Sequence, residues 1–464
     1  MSTLTMKFGG ATVGTTAALT QVLSIVLHEH NHWDRLLLVV SALDGVTDAL
    51  IEAAHLARLD NRRGYRRIVA TLRTRHMALV QNLPLGENER INLLTSIDRR
   101  LFDLLETCQT LPSSPPDTID SVASVGERLS ARIVAALIRQ NNIPSVALDA
   151  TDLIVTDAVY THATPNLTLT RERIGITLLP MLERQIIPVV TGYIGATVEG
   201  KTTTLGRGGS DYTASILGVG IAADEIWVWS DVDGMMSADP HILSEARTIP
   251  LLSHDEVAEL AYFGARILHE RMIEPIRDEK VSLRVKNVYK PQSAGSLIQH
   301  KSDQPEPGIK AVTSIQGLGL SAARSGPLAT ITGLVDETLF TTIGARAEVM
   351  ISSQTSSQSF LCFVIPTSAG PDAAYITATA LEHRLLDEAD AFDWSVRPVS
   401  IITAIGFGID RSPTLIAQLL HALDPIAILA LAQGPSHCSI SFVVEPKETL
   451  AALTCVHKLI VNSD

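Results

Sequence analysis

The stretch TTTLGRGGSD, residues 202–211, decides how the chain is interpreted, because it places three glycines, one arginine and one aspartate between two apolar runs. The first run predicts a strand, and the second predicts a helix that begins at Asp211. Glycines let backbone N–H groups approach a ligand closely, and helix N-termini favour phosphate or carboxylate. Arg207 adds a planar group that can hold a carboxylate at two points. Taken alone, the stretch fits a purely structural turn equally well.

Strands and helices alternate on either side of this stretch. Five runs predict strands: TMKF (5–8), RLLLVVSAL (35–43), PSVALDA (144–150), IIPVVTGYIG (186–195) and EIWVWSDVDG (225–234). Such alternation predicts an α/β domain with a mainly parallel sheet. Sites in these sheets lie at the carboxyl ends of the strands, where Gly9, Ser41, Gly192 and Asp231 fall.

Composition sets broader limits. A chain of 464 residues is too long for one core, so we expect two or three domains. The net charge of −13 argues against non-specific nucleic-acid binding. We find neither a secretory signal pattern nor an apolar run of about 18 residues, so we expect a cytoplasmic protein without membrane contact. The four cysteines form no CxxC pair, which favours reduced thiols.

The C-terminal third of the chain has a different pattern. The polar segment KSDQPEPG, residues 301–308, predicts a linker. Beyond it, VMISSQTSSQSFLCFVI (349–365) and ILALAQGPSHCSISFVV (428–444) align without gaps, with an offset of 79 residues from Gln354 to Gln433. This spacing predicts a duplicated βαβ-type module and is too long for a solenoid repeat.

Three further motifs place polar groups at predicted strand ends, each with a structural alternative. Lys7, just before Gly9 and Gly10, either serves a transferring phosphoryl group or is an exposed strand residue. Glu127 begins a helix, where a carboxylate either favours the helix dipole or receives a substrate ammonium. Asp233 belongs either to a surface turn or to a nucleotide contact. No Walker-type loop occurs, and HEHNH (28–32) lacks the ligand spacing of a metal site.

The order of the motifs is more specific than any one of them. KFGG, VVSALDGVTD, SVGERLSA, TTTLGRGGSDYTA, WSDVDGMMSADP, ELAYFGARILHE, VKNVYKP and GSLI together resemble an aspartate kinase of the amino-acid kinase family over residues 5–300. The repeats at 349–365 and 428–444 resemble the paired ACT regulatory modules of these enzymes. The overall pattern is most similar to the kinase part of bifunctional aspartokinase–homoserine dehydrogenases.

This resemblance implies the domain organisation. Residues 1–305 would form the amino-acid kinase domain, a mainly parallel sheet sandwiched by helices. Residues 306–390 and 391–464 would form tandem ACT modules of ferredoxin-like α+β type, with a C-terminal end able to fold back onto the first module.

The resemblance also implies an activity, the ATP-dependent phosphorylation of L-aspartate to 4-phospho-L-aspartate, the first step of lysine, threonine and methionine biosynthesis. Lys7 would neutralise the transferring phosphoryl group, and Asp211 would orient Lys7 and the phosphates that carry Mg²⁺. The implied substrate-binding residues are Ser41, Thr47, Glu127, Arg207, Gly208 and Ser210. The implied nucleotide-binding residues are Gly9, Gly10, Ser230, Asp231, Met236, His241 and Arg266. No protein side chain would bind the metal directly.

Regulation follows from the same resemblance. Threonine or lysine would act as feedback effector, with Gln354 and Gln433 as candidate contacts, and the ACT modules would pair two or more copies of the chain. Departures from the family pattern, at Ala11, Met236, His241 and Arg266, fall mostly on the nucleotide side. Two alternatives therefore stay open: a non-catalytic amino-acid sensor, and a kinase for another small amino acid.

Overall fold

The computed structural model describes residues 1–114, 118–265, 268, 270–277, 279, 281–300, 307–322, 328–366, 369–387 and 394–461. Most of the predicted linker and Arg266 lie outside these described residues. The described residues belong to two compact units. Unit 1 comprises 1–235, 250–254 and 267–300, and unit 2 comprises 236–249, 255–266 and 301–464.

Unit 1 contains ten strands and nine helices among its described residues. The strands are β1 (Thr3–Phe8), β2 (Arg35–Val40), β3 (Ser145–Leu148), β4 (Ile187–Thr191), β5 (Ile194–Ala196), β6 (Thr202–Thr204), β7 (Glu225–Ser230), β8 (Leu251–Ser253), β9 (Ser282–Asn287) and β10 (Ser296–Gln299). The helices are α1 (Gly10–Val13), α2 (Thr16–Glu29), α3 (Val46–Arg58), α4 (Arg62–Gln81), α5 (Glu87–Thr110), α6 (Thr118–Ala123), α7 (Val125–Gln140), α8 (Leu167–Glu183) and α9 (Gly209–Gly220). Two short 3₁₀ helices, Glu270–Met272 and Glu274–Ile276, precede β9.

The strands of unit 1 form an eight-stranded sheet in the order β3-β4-β2-β1-β7-β9-β10-β8 and a small β5-β6 hairpin. Every neighbouring pair in the large sheet is parallel except β9 and β10. The carboxyl ends of adjacent strands are joined in register, since Ser41 N–H donates to Phe8 O and Gly192 N–H to Val40 O. The predicted α/β class and mainly parallel sheet are therefore confirmed.

Strand β2 shows why the apolar run at 36–40 is continuous. Leu36, Leu38 and Val40 belong to the large core shared with α2, α3 and α7. Leu37 and Val39 point to the other face and are also fully buried. A strand covered by helices on both faces has no polar side, which is why its sequence does not alternate.

Two predicted boundaries differ from the structure. The run IIPVVTGYIG divides into β4 and β5, because Tyr193 adopts a left-handed φ of +70° between them. Helix α9 begins at Gly209, two residues before the predicted start at Asp211. Gly208 caps this helix at φ +70°, a conformation that glycine adopts without steric cost.

Unit 2 holds a second sheet and five further helices among its described residues. Its strands are β11 (Ala311–Ala322), β12 (Glu348–Gln354), β13 (Ser359–Val364), β14 (Trp394–Ile405), β15 (Ala430–Gln433) and β16 (Ser439–Val444). Its helices are α10 (His254–Tyr262), whose first residue is counted with unit 1, α11 (Leu328–Ile343), α12 (Ala373–Asp387), α13 (Pro413–Ala422) and α14 (Thr449–Val461).

The duplication predicted from the sequence is visible as two successive β-α-β-β-α repeats. Their strands form one antiparallel sheet in the order β12-β13-β11-β14-β16-β15. Strands β11 and β14 pair along all of Ala311–Ala322 and Trp394–Ile405. Leu318 of β11 and Val396 of β14 lie in the first repeat's core, whereas Val312 and Ile402 lie in the second's. Part of β14 thus packs in the core of the first repeat, and part of β11 packs in the core of the second. With this fourth strand, each repeat has a complete ferredoxin-like α+β core.

One segment of unit 2 comes from the middle of the chain. Residues 236–249, between β7 and β8, place Ala238 in the core of the second repeat, to which Val456 of α14 also belongs. The Ser237 hydroxyl contacts His457 Nε2 at 2.9 Å, and Val312 N–H donates to Ser237 O at 2.8 Å. This segment is thus attached to the second repeat by apolar packing and by buried hydrogen bonds.

Candidate active site

A cavity of about 310 Å³ opens in unit 1 at the carboxyl ends of the central strands. It combines residues from β1, the loop after β2, helix α7 and the start of α9. Nine predicted site residues line it: Lys7, Gly10, Ser41, Thr47, Glu127, Arg207, Gly208, Ser210 and Asp211. The catalytic and substrate-binding residues predicted from separate motifs therefore meet at one place.

Lys7 and Asp211 form an ion pair in this cavity, with Lys7 Nζ 2.5 Å from Asp211 Oδ1. Both side chains are only 12% exposed, so water screens the pair weakly. Strand β1 presents Lys7, and the first turn of α9 presents Asp211. A Cβ at Gly9 would lie 3.5 Å from Lys7 Nζ, so glycine keeps this side of the ammonium open.

The glycine pair after β1 also brings two loops together. A Cβ at Gly10 would lie 3.0 Å from Ala42 O and 3.2 Å from Asp44 N. Asp44 N–H donates to Gly10 O at 3.3 Å. Any larger residue at Gly10 would push the loop that carries Ser41 away from β1.

Glu127 is a buried carboxyl group with one oxygen, Oε2, that has no hydrogen-bond partner. Burial raises the pKa of Glu127 to about 8, although the Ala42 backbone, Arg128 and the Thr47 hydroxyl lower it in part. Gly126 permits this placement, because a Cβ there would lie 2.7 Å from Ala42 Cβ. The group is therefore mostly neutral near pH 7 and would ionise beside a cationic ligand.

Arg207 lies at the tip of a turn between two left-handed glycines, Gly206 at φ +77° and Gly208 at φ +70°. Its side chain is exposed to the cavity and makes no hydrogen bond or ion pair with the part of the chain that the structure describes. An unpaired guanidinium beside a buried carboxyl group suits a ligand that carries both a carboxylate and an ammonium.

The predicted nucleotide-binding residues are less concentrated. Ser230 ends β7 and donates to Asp231 Oδ1 at 3.2 Å, outside the cavity lining. Met236 and His241 belong to unit 2, where Met236 bridges to Thr248. The assignment of these residues to a nucleotide stays a prediction, as does that of Arg266.

Sequence reasoning missed several residues of this region. Asp44, Asp48 and Tyr193 line the cavity without having been assigned a role. Asn287 and Lys290, within the VKNVYKP motif, hold the loop after β7 through Asp233, at 2.6 Å each. The position of VKNVYKP at a strand end was the available signal for these last two.

The described part of the chain lacks two features. No helix there combines the length and apolar character needed to cross a membrane. No group of three or more His, Cys, Asp or Glu side chains there is arranged to hold a metal ion.

The fold and the cavity define a class of protein that sequence comparison also recovers. Residues 2–287 match the model of the amino acid kinase family. The chain belongs to this family.

Individual relatives have more specific names than the family model. A bifunctional aspartokinase/homoserine dehydrogenase 1 from Zea mays, a chloroplastic protein, is 28% identical over 97% of this chain. The chain spans about half the length of that relative, 50%. Escherichia coli aspartokinase III, solved with lysine and aspartate in its T-state, shares the fold with a TM-score of 0.81 at 23% identity over 99% of both chains. The same enzyme with aspartate and ADP in its R-state gives 0.77 at 23% identity, over 99% of this chain and 100% of that one.

Proposed function

We propose that the chain is an aspartate kinase, which transfers a phosphoryl group from MgATP to the side-chain carboxylate of L-aspartate. The observation that carries this proposal is that one cavity contains two groups without hydrogen-bond partners among the described residues, the Arg207 guanidinium and Glu127 Oε2. A zwitterionic amino acid presents the two complementary charges. Escherichia coli aspartokinase III, which has a similar fold and was solved with aspartate and ADP, supports the choice of substrate and nucleotide.

On the amino-acid side, Arg207 holds the α-carboxylate and Glu127 receives the ammonium. Ser41 and Thr47 supply hydroxyl groups to the same pocket, and Gly208 and Ser210 shape the turn around the substrate. The β-carboxylate of aspartate is already ionised at pH 7, so attack on phosphorus needs no general base. Catalysis then consists of positioning and charge neutralisation.

On the phosphoryl side, Lys7 neutralises the transferring group and Asp211 keeps the ammonium in place through their 2.5 Å ion pair. Gly9 and Gly10 offer backbone N–H groups to the same phosphate. In this proposal Mg²⁺ is carried by the nucleotide phosphates, because it is usually bound through substrate phosphates and a few carboxylates. Bound in this way, the metal neutralises phosphate charge.

On the nucleoside side, Ser230 and Asp231 lie at the end of β7, next to the cavity strand β1 in the sheet. Asn287 supports this loop by donating to Asp231 O at 3.3 Å. We assign nucleotide contacts to Met236, His241 and Arg266 on the family pattern alone.

Unit 2 serves regulation in this proposal, with 306–390 and 391–464 as two ACT modules. Gln354 and Gln433 end equivalent strands, β12 and β15, and both are exposed. The two strands contact each other. Lysine or threonine would bind here, and the E. coli enzyme solved with lysine supports lysine as a candidate. Exposed Val349 and Leu431 on the same strands support pairing of two copies through this unit.

An ATP-dependent hydroxamate assay tests the activity, because hydroxylamine traps acyl phosphates. We expect product with L-aspartate and not with L-glutamate, D-aspartate or L-asparagine. Product with another acid instead would assign the chain to a different amino-acid substrate. No product with any acid, together with no MgATP binding by calorimetry, would identify an amino-acid sensor.

A further inference from the structure

The turn that carries Arg207 is built on two neighbouring segments, 161–163 and 204–205. Ala163 N–H donates to Thr204 O at 2.9 Å, which joins them directly. Gly206 rests on the first segment, because a Cβ there would lie 2.9 Å from His162 Cδ2 and 3.1 Å from Thr161 O. The position of this pair of segments therefore fixes where the turn begins.

One buried carboxylate holds the N–H groups of both segments. Asp120 Oδ2, from helix α6, accepts Thr161 N–H at 2.9 Å and Thr204 N–H at 2.7 Å. Asp120 is 1% exposed and does not line the cavity. Burial raises its pKa, and both N–H groups act in the opposite direction by stabilising the ionised form. Hydrogen bonds to a charged acceptor are shorter and stronger than neutral ones.

One guanidinium holds the carbonyl groups of the same segments. Arg271, from the 3₁₀ helix Glu270–Met272, donates from Nη1 to Leu205 O and from Nη2 to Ala163 O, the latter at 3.3 Å. Its guanidinium carbon lies 4.6 Å from the centre of the Tyr212 ring, which fixes the plane of the group. Asp120 and Arg271 thus hold two adjacent segments through opposite ends of their peptide groups.

We propose that Asp120 and Arg271 are positioning residues for Arg207. Arg207 follows Leu205 by two residues and is flanked by two left-handed glycines, so its own turn has little side-chain packing to fix it. The direction of its guanidinium depends on where Thr204 and Leu205 are held. The two charges belong to different elements, and both act on the backbone that leads into the turn. This inference rests on the proposed function, since Arg207 must bind a substrate carboxylate.

The test is steady-state kinetics on the full chain with L-aspartate and MgATP varied separately. We expect Asp120→Ala and Arg271→Met each to raise KM for aspartate by about 10- to 100-fold, as typical for the loss of a supporting contact, with KM for MgATP unchanged. The conservative variants Asp120→Asn and Arg271→Lys retain one acceptor or one donor, so we expect most of the aspartate affinity to return. If the Asp120→Ala or Arg271→Met variant fails to fold, the conservative variants test the inference instead. We then expect them to raise KM for aspartate, by a smaller factor.

A double-mutant cycle separates positioning from general destabilisation. If Asp120 acts through Arg207, Asp120→Ala should change KM for aspartate little in an Arg207→Lys background, because the contact it supports is already impaired. Asp224→Ala is the matched control, since that carboxylate accepts Thr3 N–H at 2.8 Å at the amino end of β1. We expect it to lower stability without changing KM for aspartate.

Two results would overturn the inference. One is a folded Asp120→Ala or Arg271→Met protein whose KM for aspartate equals that of the wild type. The other is a full additive effect of Asp120→Ala in the Arg207→Lys background. Both need an active wild type, so an inactive wild type contradicts the proposed function and is distinguishable from failure of the positioning role.

Discussion

Glu127 is a buried acidic residue with one carboxyl oxygen that has no hydrogen-bond partner. Its carboxyl group is 2% exposed, and burial raises its pKa to about 8. Arg128, the next residue, directs its charge to Asp149 instead, with Arg128 Nε 2.5 Å from Asp149 Oδ2. The free protein therefore keeps Glu127 largely protonated at pH 7. A ligand ammonium reverses this preference, because an opposite charge within contact distance favours the ionised form.

We predict that aspartate binding at pH 7 releases about one proton, because Glu127 changes from carboxylic acid to carboxylate. Isothermal titration calorimetry in two buffers of different ionisation enthalpy measures this directly. The apparent affinity should rise with pH up to about 8, where free Glu127 ionises unaided. Glu127→Gln should bind more weakly and release no proton. An equal binding enthalpy in both buffers for the wild type would contradict the assignment.

The same raised pKa predicts a pH dependence of stability. Glu127 stabilises the free protein fully below its ordinary pKa of 4.5, and this contribution is lost as pH rises through about 8. Glu127→Gln stays neutral throughout, so its Tm relative to the wild type should increase between pH 6 and pH 9. A constant difference in Tm across this range would mean that Glu127 is already ionised in the free protein.

Lys7 gives a second prediction at the scale of one residue. Lys7→Ala should lower kcat by about 10²- to 10³-fold, the size expected for losing a charge that acts on the transition state. KM for aspartate should change little, because the proposed mechanism has Lys7 contact the phosphoryl group and not the α-carboxylate. The measurement is kcat at saturating MgATP and aspartate, with circular dichroism to confirm folding. Near-normal kcat in a folded variant would place the phosphoryl group elsewhere.

At the scale of elements, the segment 236–249 contacts helix α14, about 220 residues further along the chain. Ser237 Oγ accepts Arg247 N–H at 2.8 Å and contacts His457 Nε2 at 2.9 Å. A neutral imidazole can accept the Ser237 hydroxyl proton at Nε2, and a lowered pKa favours that neutral form. Burial lowers the pKa of His457, with Glu245 acting against it and Arg247 adding to it.

We predict that acid weakens this attachment. The folded pKa of His457 lies below the ordinary value of 6.5, so its contribution is complete above that pH and is lost as pH falls below it. The urea midpoint of wild type should drop between pH 7.5 and 5.5 more than that of His457→Gln, whose amide oxygen accepts the Ser237 hydroxyl without titrating. The control is His421→Gln, an exposed histidine on α13. Equal pH slopes for wild type and His457→Gln would contradict the prediction.

Elements and site residues were predictable from the sequence where a local pattern, such as a glycine at the end of a strand, has a direct structural cause. Lys7, Glu127 and Arg207 stand beside glycines at strand or helix ends, so their convergence followed from the parallel sheet. Tyr193 was not predictable, because an aromatic residue gives no sign that it will adopt a left-handed φ. Ala238 was missed for a different reason. The composition of the segment 236–249 does not reveal which distant core will cover its apolar side chains, Ala238, Leu243 and Ala246.

The sharing of strands between the two repeats could not be predicted from the sequence either. Each repeat contains three strands, which leaves a ferredoxin-like core incomplete. Nothing in the composition of Ala311–Ala322 or Trp394–Ile405 shows that each strand contributes to two cores. That information depends on pairing between residues about 80 positions apart, which local periodicity does not record.

At the scale of the whole molecule, the exposed apolar residues of unit 2 point to assembly. Val349 and Leu431 are 44% and 41% exposed on the outer strands, and Tyr375 and Ile376 are more than half exposed on α12. Val349 and Leu431 lie on strands that contact each other, and monomeric proteins rarely expose contiguous apolar surface without a partner. We therefore predict at least a homodimer, measurable by light scattering at micromolar concentration. A monomer at that concentration would contradict the assembly and leave the activity proposal unaffected.

Regulation by an amino acid is the remaining prediction at this scale. If lysine or threonine inhibits, it must bind the less active state more tightly, by about 1–3 kcal/mol of coupling free energy. Gln354 and Gln433 occupy equivalent strand ends in the two repeats, opposite Ser359 and Ile440. Gln354→Ala or Gln433→Ala should shift the inhibition curve to higher effector concentration and leave uninhibited kcat nearly unchanged, since neither residue lines the active-site cavity.

Gln418→Ala provides the matched control, because Gln418 is an exposed glutamine on α13 of the second repeat, away from the strand ends. It should leave the inhibition curve in place. A shift in this control as large as in Gln354→Ala would mean that the glutamines act through general destabilisation of unit 2. Wild-type activity that neither lysine nor threonine changes, separately or together, would contradict feedback control by these amino acids. The regulatory sites can then fail while the assignment of the cavity residues stands, because Gln354 and Gln433 lie in unit 2 and the cavity-lining residues lie in unit 1.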